Sequence, residues 1–485
     1  MLEGLEISVL SLSEVLIDNE NQRIESEYFK KEYLNILKNH ENLVPLSEFV
    51  EKGYRVVYEN TEIVSEAIGK ENDFPIFLQA TDLQTPFIKT DNLFYVNESD
   101  WLRYPMGRIE KGELLIEVKG KAEKVAIVPD NFPKKVLVSG SIYKMKVNEK
   151  ISREYLLIYL TCKYGEAFKN RSKTNLLISF ISKDDLYKIP VPIYSKPFQQ
   201  QIEDLVKSAH STQETSKTLH QEAENLLLLE LGIDESIFKV SKNEVVTNTK
   251  TFADFENSWR LDAEYYQPKY DIYFENLSKC VFEKKWNIVN LSSLTQPLKY
   301  GSSSALEYMQ SGVPFLRIAD LTDYQFNPKN LKYISIEDAE GELDTCKVKE
   351  NDVLISRSGT LGLTVVIPKS LENAIFGSYF IRVRLDLNRI NPHYLALFMN
   401  TRAGKPQVEQ ANTGGVQTNL TIPVIESFKI PLPPLEIQDN FIEKVFESKS
   451  LKTKSEQLLS LAKRAVEIAI EEGEEAAVTW VRGHE

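Results

Sequence analysis

The segment Phe315-Leu316-Arg317-Ile318-Ala319-Asp320-Leu321 repeats a pattern found 238 residues earlier, in Phe77-Leu78-Gln79-Ala80-Thr81-Asp82-Leu83. Further segments match in the same order, at separations between 237 and 244 residues: 23–29 with 260–266, 112–129 with 351–368, 174–176 with 418–420, and 189–192 with 430–433. Chance rarely keeps both order and spacing over so many segments. The sequence therefore predicts a tandem duplication of one domain design.

Each copy is predicted to be a mixed α/β (α+β) domain. In the second copy, short runs rich in Ile, Val and Phe predict strands at 313–319, 352–356, 364–367 and 379–384. Asn391-Pro392 predicts the start of a helix over 393–400, because proline is favoured in the first helical turn. Each copy thus has the composition of one mixed domain of ordinary size.

A long amphipathic helix is predicted after each copy. Apolar residues recur at spacings of three, four and seven after Pro197 and again after Pro434, and Gly232 and Gly473 mark the expected helix ends. Either each helix packs on its own domain or the two helices pack on each other. We favour an antiparallel coiled coil with pseudo-two-fold symmetry, because a duplicated apolar stripe has a natural partner in its copy.

These patterns divide the chain into globular domains, helices and connecting segments. The globular domains are predicted at 43–198 and 281–435, and the helices at 199–232 and 436–473. The remaining parts are an N-terminal segment (1–42), a linker that repeats it (233–280) and a C-terminal tail (474–485). Two different domains of this kind would read two different half-sites if the ligand were a long polymer.

Composition predicts a cytoplasmic protein. The 485 residues include three widely separated cysteines, Cys162, Cys280 and Cys346, which fits a reducing compartment better than a disulfide framework. No apolar run approaches the roughly 20 residues of a membrane-spanning helix. The first ten residues are acidic and lack the basic start of a secretory signal.

The net charge of −13 is unevenly distributed, which matters for any nucleic-acid hypothesis. Residues 43–198 hold 23 Lys and Arg against 21 Asp and Glu, and residues 281–435 hold 16 against 15. All other segments together hold 19 against 35. Each near-neutral domain could therefore carry a local basic face, although ordinary variation of surface charge explains the same numbers.

Several motifs resemble those of type I restriction-modification specificity subunits. Residues 430–442, which begin Ile-Pro-Leu-Pro-Pro-Leu-Glu-Ile-Gln, resemble the family signature I-P-L-P-P-L-x-x-Q-x-x-I. Residues 352–362 are similar to the family's D-x-L-x-S-R-x-G-T-x-G segment, and 300–304 followed by 314–317 also resembles its target-recognition domains. The resemblance covers essentially the whole chain, in the order recognition domain, helix, recognition domain, helix.

The resemblance implies a role in phage defence and DNA methylation. The two globular domains would be target-recognition domains for a bipartite, asymmetric sequence in double-stranded DNA. Two modification subunits would supply the methyltransferase, docking on the long helices, and restriction subunits would supply ATP-driven translocation and cleavage. The chain itself would be a non-catalytic DNA-recognition subunit without a cofactor.

The candidate DNA contacts are polar loop residues, because base edges and phosphates are bound by forked donors, amides, hydroxyls and cations. In the second copy they are Tyr300, Gly301, Ser302, Ser303, Arg317, Ser356, Arg357, Ser358, Thr360, Gln417, Thr418 and Asn419. In the first copy they are Gln79, Lys119, Lys121, Lys173 and Asn175. The alternative is ordinary turn chemistry, and for Arg317 a buried ion pair.

The first copy departs from the family pattern at one of these loops. Residues 117–121 read Glu-Val-Lys-Gly-Lys where the second copy has Ser-Arg-Ser-Gly-Thr at 356–360. Glu117 would repel a phosphate if its side chain faced DNA. Either Glu117 turns inward, or the first domain docks differently.

Catalytic motifs are missing from the sequence. It contains no G-x-x-x-x-G-K-[ST] phosphate loop, no N-P-P-[YF] methyltransferase motif and no G-x-S-x-G elbow, and its five histidines show no metal-ligand spacing. These absences disfavour an enzyme. A two-domain scaffold that binds no nucleic acid, and a specificity subunit of another phage-defence complex, stay open as alternatives.

Overall fold

The computed structural model describes residues 9–16, 19, 23–31, 33–34, 43–58, 61–133, 135–174, 179–233, 247–322, 324–341, 343–412 and 419–484. The chain forms two compact units, the first from residues 1–214 and 451–485 and the second from residues 215–450. Each unit therefore combines one copy of the repeat with part of each long helix. The narrower domain limits predicted from sequence stay a prediction.

The first unit is built on two four-stranded sheets. One has the order β2-β11-β8-β9 and the other β10-β4-β7-β3, and two short pairs, β1-β12 and β5-β6, complete the unit. Its strands are β1 (Leu43–Pro45), β2 (Val50–Tyr54), β3 (Ile63–Val64), β4 (Ile76–Leu78), β5 (Leu83–Gln84), β6 (Phe87–Ile88), β7 (Phe94–Val96), β8 (Leu114–Glu117), β9 (Val125–Ile127), β10 (Val136–Val138), β11 (Ile142–Val147) and β12 (Pro190–Pro192).

The second unit has the same kinds of sheet. Its orders are β14-β22-β19-β20 and β18-β15-β21, with the short pairs β13-β23 and β16-β17. Its strands are β13 (Asn287–Asn290), β14 (Lys299–Tyr300), β15 (Val313–Leu316), β16 (Leu321–Thr322), β17 (Gln325–Phe326), β18 (Lys332–Ile334), β19 (Val353–Ser356), β20 (Thr364–Val366), β21 (Ile375–Phe376), β22 (Phe380–Val383) and β23 (Lys429–Leu432).

The topology of the two units confirms the duplication. The sheets β2-β11-β8-β9 and β14-β22-β19-β20 are antiparallel throughout. In the other sheet of each unit, a central strand pairs in parallel with one neighbour and antiparallel with the other: β4 with β10 and β7, and β15 with β21 and β18. The repeated sequence segments therefore occupy equivalent positions in two mixed α/β domains.

Helices flank the sheets and follow each domain. They are α1 (Leu12–Leu16), α2 (Glu66–Glu71), α3 (Glu98–Arg103), α4 (Arg153–Thr161), α5 (Lys163–Ser172), α6 (Lys183–Tyr187), α7 (Lys196–Glu230), α8 (Phe252–Ser258), α9 (Pro268–Glu283), α10 (Ile336–Glu340), α11 (Pro392–Asn400), α12 (Lys405–Ala411), α13 (Ile422–Glu426), α14 (Leu435–Glu472) and α15 (Glu474–Arg482). The long helices α7 and α14 confirm the two helices expected after the domains. The stretch predicted as a tail contains α15.

Helices α7 and α14 pair antiparallel within the first unit. Ser455 donates a hydrogen bond of 2.7 Å to the carbonyl of Ala209, and the backbone amide of Ser195, just before α7, donates one of 2.9 Å to Glu474, just after α14. One apolar cluster joins residues of both helices to the domain: Phe198, Ile202 and Leu205 from α7, and Ala462, Ala465 and Val466 from α14.

The same antiparallel pairing occurs within the second unit. The hydroxyls of Ser216 and Ser448 each donate a 2.7 Å hydrogen bond to the other residue's carbonyl. Further along the same helices, Ala223 and Leu227 cluster with Phe441, Ile442 and Val445. Both arrangements weighed from the sequence therefore occur together, because the helices pair with each other and also pack on a domain. The pseudo-two-fold relation of the copies stays a prediction.

The strands and helix predicted in the second copy are confirmed with small changes of length. Strand β15 ends at Leu316 and not at the predicted Ala319, since a short turn over Ile318–Asp320 follows it. The Asp320 carboxylate accepts the backbone N–H of Arg317 at 3.0 Å and so closes this turn. Helix α11 begins at Pro392, with the Asn391 side chain accepting the N–H of His393.

Candidate nucleic-acid interface

A short polar loop follows β19 in the second unit. We call residues 356–361 the second glycine loop. The Ser356 hydroxyl donates to the carbonyl of Thr360 and accepts the backbone N–H of Leu363 at 2.8 Å. Ser356 is buried, so it supports the loop from within. This differs from the sequence prediction, which made Ser356 a direct DNA contact. Gly359 has φ +73°, a conformation that favours glycine.

Arg357 is fixed in this loop by its backbone and by an aromatic ring. Its N–H donates to the carbonyl of Tyr379 at 2.8 Å, and its carbonyl accepts the N–H of Leu420 at 2.9 Å. The guanidinium carbon lies 4.8 Å from the centre of the Tyr300 ring, and Nε donates to the Leu420 carbonyl at 3.3 Å. The structure thus brings three predicted residues together: Tyr300, Arg357 and Asn419, the last exposed and next to Leu420.

The neighbouring residues 300–303 form an edge beside this loop. Tyr300 is 42% exposed, and its hydroxyl accepts the backbone N–H of Ile422 at 3.1 Å, which holds the ring in place. Ser302 bonds through its backbone to Phe376 and Ser378. A Cβ on Gly301 would lie 2.2 Å from the carbonyl oxygen of Gly377, so only glycine fits there. Ser303 is exposed.

Arg317 is committed to an ion pair. Its guanidinium donates to the buried carboxylate of Asp320, with Nε 3.1 Å from Oδ2, and lies 5.3 Å from the centre of the Tyr308 ring. The ion-pair alternative considered for this residue therefore agrees with the geometry. In the first unit, the N–H of Gln79 donates to Asp82 at 2.8 Å, so the repeated aspartates perform the same backbone role.

The equivalent loop of the first unit, residues 117–122, is called the first glycine loop. The Glu117 side chain turns inward and accepts the backbone N–H groups of Glu123 at 3.1 Å and Lys124 at 3.3 Å. Glu117 is 9% exposed, which resolves the two alternatives stated for it in favour of the inward one. Its negative charge is bound inside the loop and does not face a ligand.

Val118 of the first loop occupies the position that is equivalent to Arg357 in the second loop, and its backbone makes the same two hydrogen bonds. Its N–H donates to Ser141 and its carbonyl accepts from Ile181, both at 2.9 Å, as Arg357 does with Tyr379 and Leu420. Val118 is buried in the core. The two loops are thus alike in backbone and different in charge, because the first loop has no cation at this position.

The basic candidates of the first unit lie around its loop. Lys119 and Lys121 are exposed. Lys173 is half-buried, which lowers its pKa, and its Nζ donates to the Asn170 side chain at 2.6 Å. Gln79 is half-buried beside Ala80, whose carbonyl accepts from Lys124 at 3.1 Å. Three candidates, Asn175, Gln417 and Thr418, lie outside the described residues.

Sequence reasoning missed several exposed or half-buried residues near these loops. Tyr379 is 54% exposed and contacts Arg357 through its backbone, and Tyr308 lies over Arg317. In the first unit, Arg55 lies 4.8 Å from the centre of the Phe180 ring. In the sequence, the only feature that pointed to Tyr379 as a surface residue was its place after Gly377-Ser378 at the start of a strand. No sequence feature pointed to Tyr308 or Arg55.

An ion pair with a buried carboxylate supports each sheet behind the loops. In the first unit Lys144 Nζ lies 2.9 Å from Glu113 Oε1, and both side chains are buried. In the second unit Asp352, equivalent to Glu113, accepts from Arg384 Nε at 2.9 Å, with Arg382 adjacent. These pairs fix the strands from which the glycine loops emerge.

The described parts of the chain hold neither a metal-type cluster nor a membrane-spanning helix. No group of three or more His, Cys, Asp or Glu side chains there is arranged to hold a metal ion. Among those same residues, no helix is both long and apolar enough to cross a membrane.

Comparison with known proteins gives a match to the second half. Residues 283–459 match the family described as Type I restriction modification DNA specificity domain. The Type I restriction enzyme EcoBI specificity subunit of Escherichia coli is 21% identical over 170 residues, 34% of this chain and 35% of that protein. The chain thus matches about a third of the length of this relative.

Solved structures with similar chains were also found. The S subunit of a type I restriction-modification system from M. genitalium is 13% identical, with a TM-score of 0.42, over 87% of this chain and 93% of that one. The HsdS subunit from Thermoanaerobacter tengcongensis is 15% identical, with a TM-score of 0.28, over 89% and 96%.

Proposed function

Because the chain is related to the specificity subunits of type I restriction-modification systems, we propose that it selects the DNA sequences on which partner enzymes act. In this proposal the chain is non-catalytic and binds no cofactor. Each unit reads one half of a bipartite, asymmetric target in double-stranded DNA. The protein acts in the cytoplasm, where that DNA is.

One observation carries the proposal: a partly exposed, donor-rich loop on the part of the chain that matches the DNA specificity family. The second glycine loop presents Arg357, Ser358 and Thr360 in the region 283–459. Arginine, hydroxyls and backbone N–H groups are the donors that proteins use on DNA. The first unit offers Lys119 and Lys121 at the equivalent place, with Glu117 turned away.

We further propose that methyltransferase subunits, two in number, and ATP-dependent restriction subunits act through this chain. The exposed faces of α7 and α14 are the docking surface in this proposal. They carry many acidic residues, including Asp204 and Glu222, which keep these helices away from DNA phosphates.

The test is modified-base sequencing of DNA from cells that express the chain with its cognate modification subunit. The matched control expresses the modification subunit alone. We expect a methylated, gapped and asymmetric two-part motif that disappears without the chain. A gapless motif would contradict the two-reader proposal. Methylation that is equal in both cultures would contradict the specificity role and favour a scaffold.

A further inference from the structure

We propose that the second glycine loop binds a phosphate of the DNA backbone and does not read a base. In this proposal, which rests on the proposed function, Arg357 and the backbone N–H groups of residues 358–361 hold one phosphate. Tyr300 is the positioning residue for the guanidinium. The second unit thereby has a fixed anchor that the first unit lacks.

The guanidinium of Arg357 is held in place but keeps its outer donors open. Among the described residues, neither of its Nη atoms donates a hydrogen bond, whereas Nε is used by Leu420. The other arginines nearby are committed within the fold: Arg317 to Asp320, Arg382 to Lys347, Arg384 to Asp352 and Arg389 to Ser293. Arg357 is therefore prepared to bind a ligand outside the fold.

Four successive backbone amides follow Arg357. In the described chain the N–H groups of residues 358–361 donate to no other group, and Gly359 and Thr360 are exposed. Gly359 in the left-handed region gives a turn of the kind in which neighbouring amides face one anion. The Ser358 and Thr360 hydroxyls add two further donors next to these amides.

The kind of donor decides between phosphate and base. Guanidinium and amide N–H groups only donate, so they suit a ligand that only accepts hydrogen bonds. A phosphate accepts on several oxygens, while the major-groove edge of guanine accepts at two atoms that one arginine already satisfies. The supply of donors in this loop exceeds what one base edge can use, which favours phosphate.

The contrast with the first unit supports the same conclusion. There the Glu117 carboxylate occupies the inside of the loop and Val118 replaces the arginine. A phosphate anchor of the Arg357 kind is absent from the described part of that loop. The first unit is left with the flexible cations Lys119 and Lys121, which act as point charges.

The test compares Arg357→Gln, Arg357→Lys and the control Lys349→Gln in the full-length chain bound to its modification subunit. Lys349 is exposed and precedes the other end of strand β19, so its loss removes the same charge from a different place. Dissociation constants are measured on target DNA and on unrelated DNA of equal length, over a series of salt concentrations.

We expect Arg357→Gln to weaken binding to both DNAs by the same factor, roughly 10- to 100-fold, as expected for lost charge-assisted hydrogen bonds. The slope of log affinity against log salt should fall by about 1, since one phosphate contact is lost. Arg357→Lys should retain the slope and recover part of the affinity. Lys349→Gln should behave as wild type.

Two outcomes overturn the inference while leaving the proposed function intact. One is that Arg357→Gln weakens only the target DNA and relaxes the choice of base at one position, which assigns Arg357 to base reading. The other is that it matches Lys349→Gln. If the wild-type complex binds target and unrelated DNA equally, the proposed function falls and this inference falls with it.

Discussion

Lys144 and Glu113 place a charged pair in the interior of the first unit, with Lys144 also donating to the carbonyl of Arg108. Replacing Lys144 by Met leaves the Glu113 carboxylate buried without its partner. We expect a loss of about 3–5 kcal/mol in the free energy of unfolding, because an unpaired buried charge is costly. Urea denaturation measures this loss.

Lys146 provides the control for that substitution, because it lies two residues away on the same strand. Its ion pair with Glu51 is exposed, with both side chains about half accessible. Lys146→Met should therefore change the free energy of unfolding much less than Lys144→Met does, because an exposed ion pair is screened by solvent. Equal losses for Lys144→Met and Lys146→Met would show that burial does not set the energy of these pairs.

Lys169 gives the first unit a dependence of stability on pH. Burial lowers the pKa of its amine to about 8, from an ordinary value of 10.5, although Nζ donates to the Glu123 carbonyl at 2.6 Å. Between these two pKa values the unfolded chain binds more protons than the folded chain. Stability therefore rises as pH increases through this window.

We expect Lys169 to add about 2 kcal/mol to the free energy of unfolding between pH 7 and pH 9.5. Lys169→Met should remove this increase, which denaturation of both proteins at the two pH values will reveal. Lys52, which is exposed on strand β2, serves as the control for the loss of a lysine from the same unit. An unchanged pH dependence in Lys169→Met would assign the effect to other groups.

The long helices α7 and α14 carry buried serines that interrupt the apolar seam between them. Ser216 and Ser448 exchange hydrogen bonds with each other's carbonyls, and both are buried. Ser216→Ala should destabilise the second unit by about 1–2 kcal/mol, because it removes the hydrogen bond to the buried Ser448 carbonyl and the 3.1 Å contact between the two hydroxyls. Thermal unfolding measures this change, with the exposed Ser208→Ala as control. A loss no larger than in the control would contradict a role for these serines.

The sequence predicted the limits of these helices well, because their ends depend on local signals. Pro197 lies in the first turn of α7, and Gly232 follows its end with φ +64°. There Ile233 N–H donates to Leu228 and Gly232 N–H to Leu229, a helix-terminating pair of bonds that glycine favours. The serine pairing was not predictable, since the polar gaps show no register until the helices meet.

Loop chemistry was harder to predict than helix limits. The inward turn of Glu117 depends on two amides six and seven residues further along the chain, and the sequence left that alternative open. Ser356 was predicted as a contact because hydroxyls bind DNA phosphates and it lies in a polar loop after a strand, but its hydroxyl closes the loop. Such roles depend on how a loop closes in three dimensions, which residue type does not determine.

At the scale of the whole molecule, the duplication was predictable from sequence because order and spacing were kept along the chain. The two units also differ in how they present charge, with Arg357 in one and Lys119 and Lys121 in the other. We expect their contributions to DNA affinity to be independent. Losses of binding free energy in Arg357→Gln and in a Lys119→Gln, Lys121→Gln double variant should add within about 0.5 kcal/mol when combined.

Equilibrium binding of the combined variant to target DNA tests this independence. A loss clearly smaller than the sum would mean that the two loops share a contact or that one docks only after the other. The paired controls are Lys349→Gln in the second unit and Lys52→Gln in the first, which is exposed on strand β2.

The inward carboxylate of Glu117 also has a consequence for how the free protein exchanges hydrogen with solvent. The amide protons of Glu123 and Lys124 are already bonded to it, so deuterium should replace them slowly whether or not a ligand is present. The amides of residues 358–361 have no such acceptor in the described chain and should exchange fast until an anion covers them. Hydrogen exchange measured with and without DNA would therefore slow at the second glycine loop and stay unchanged at the first.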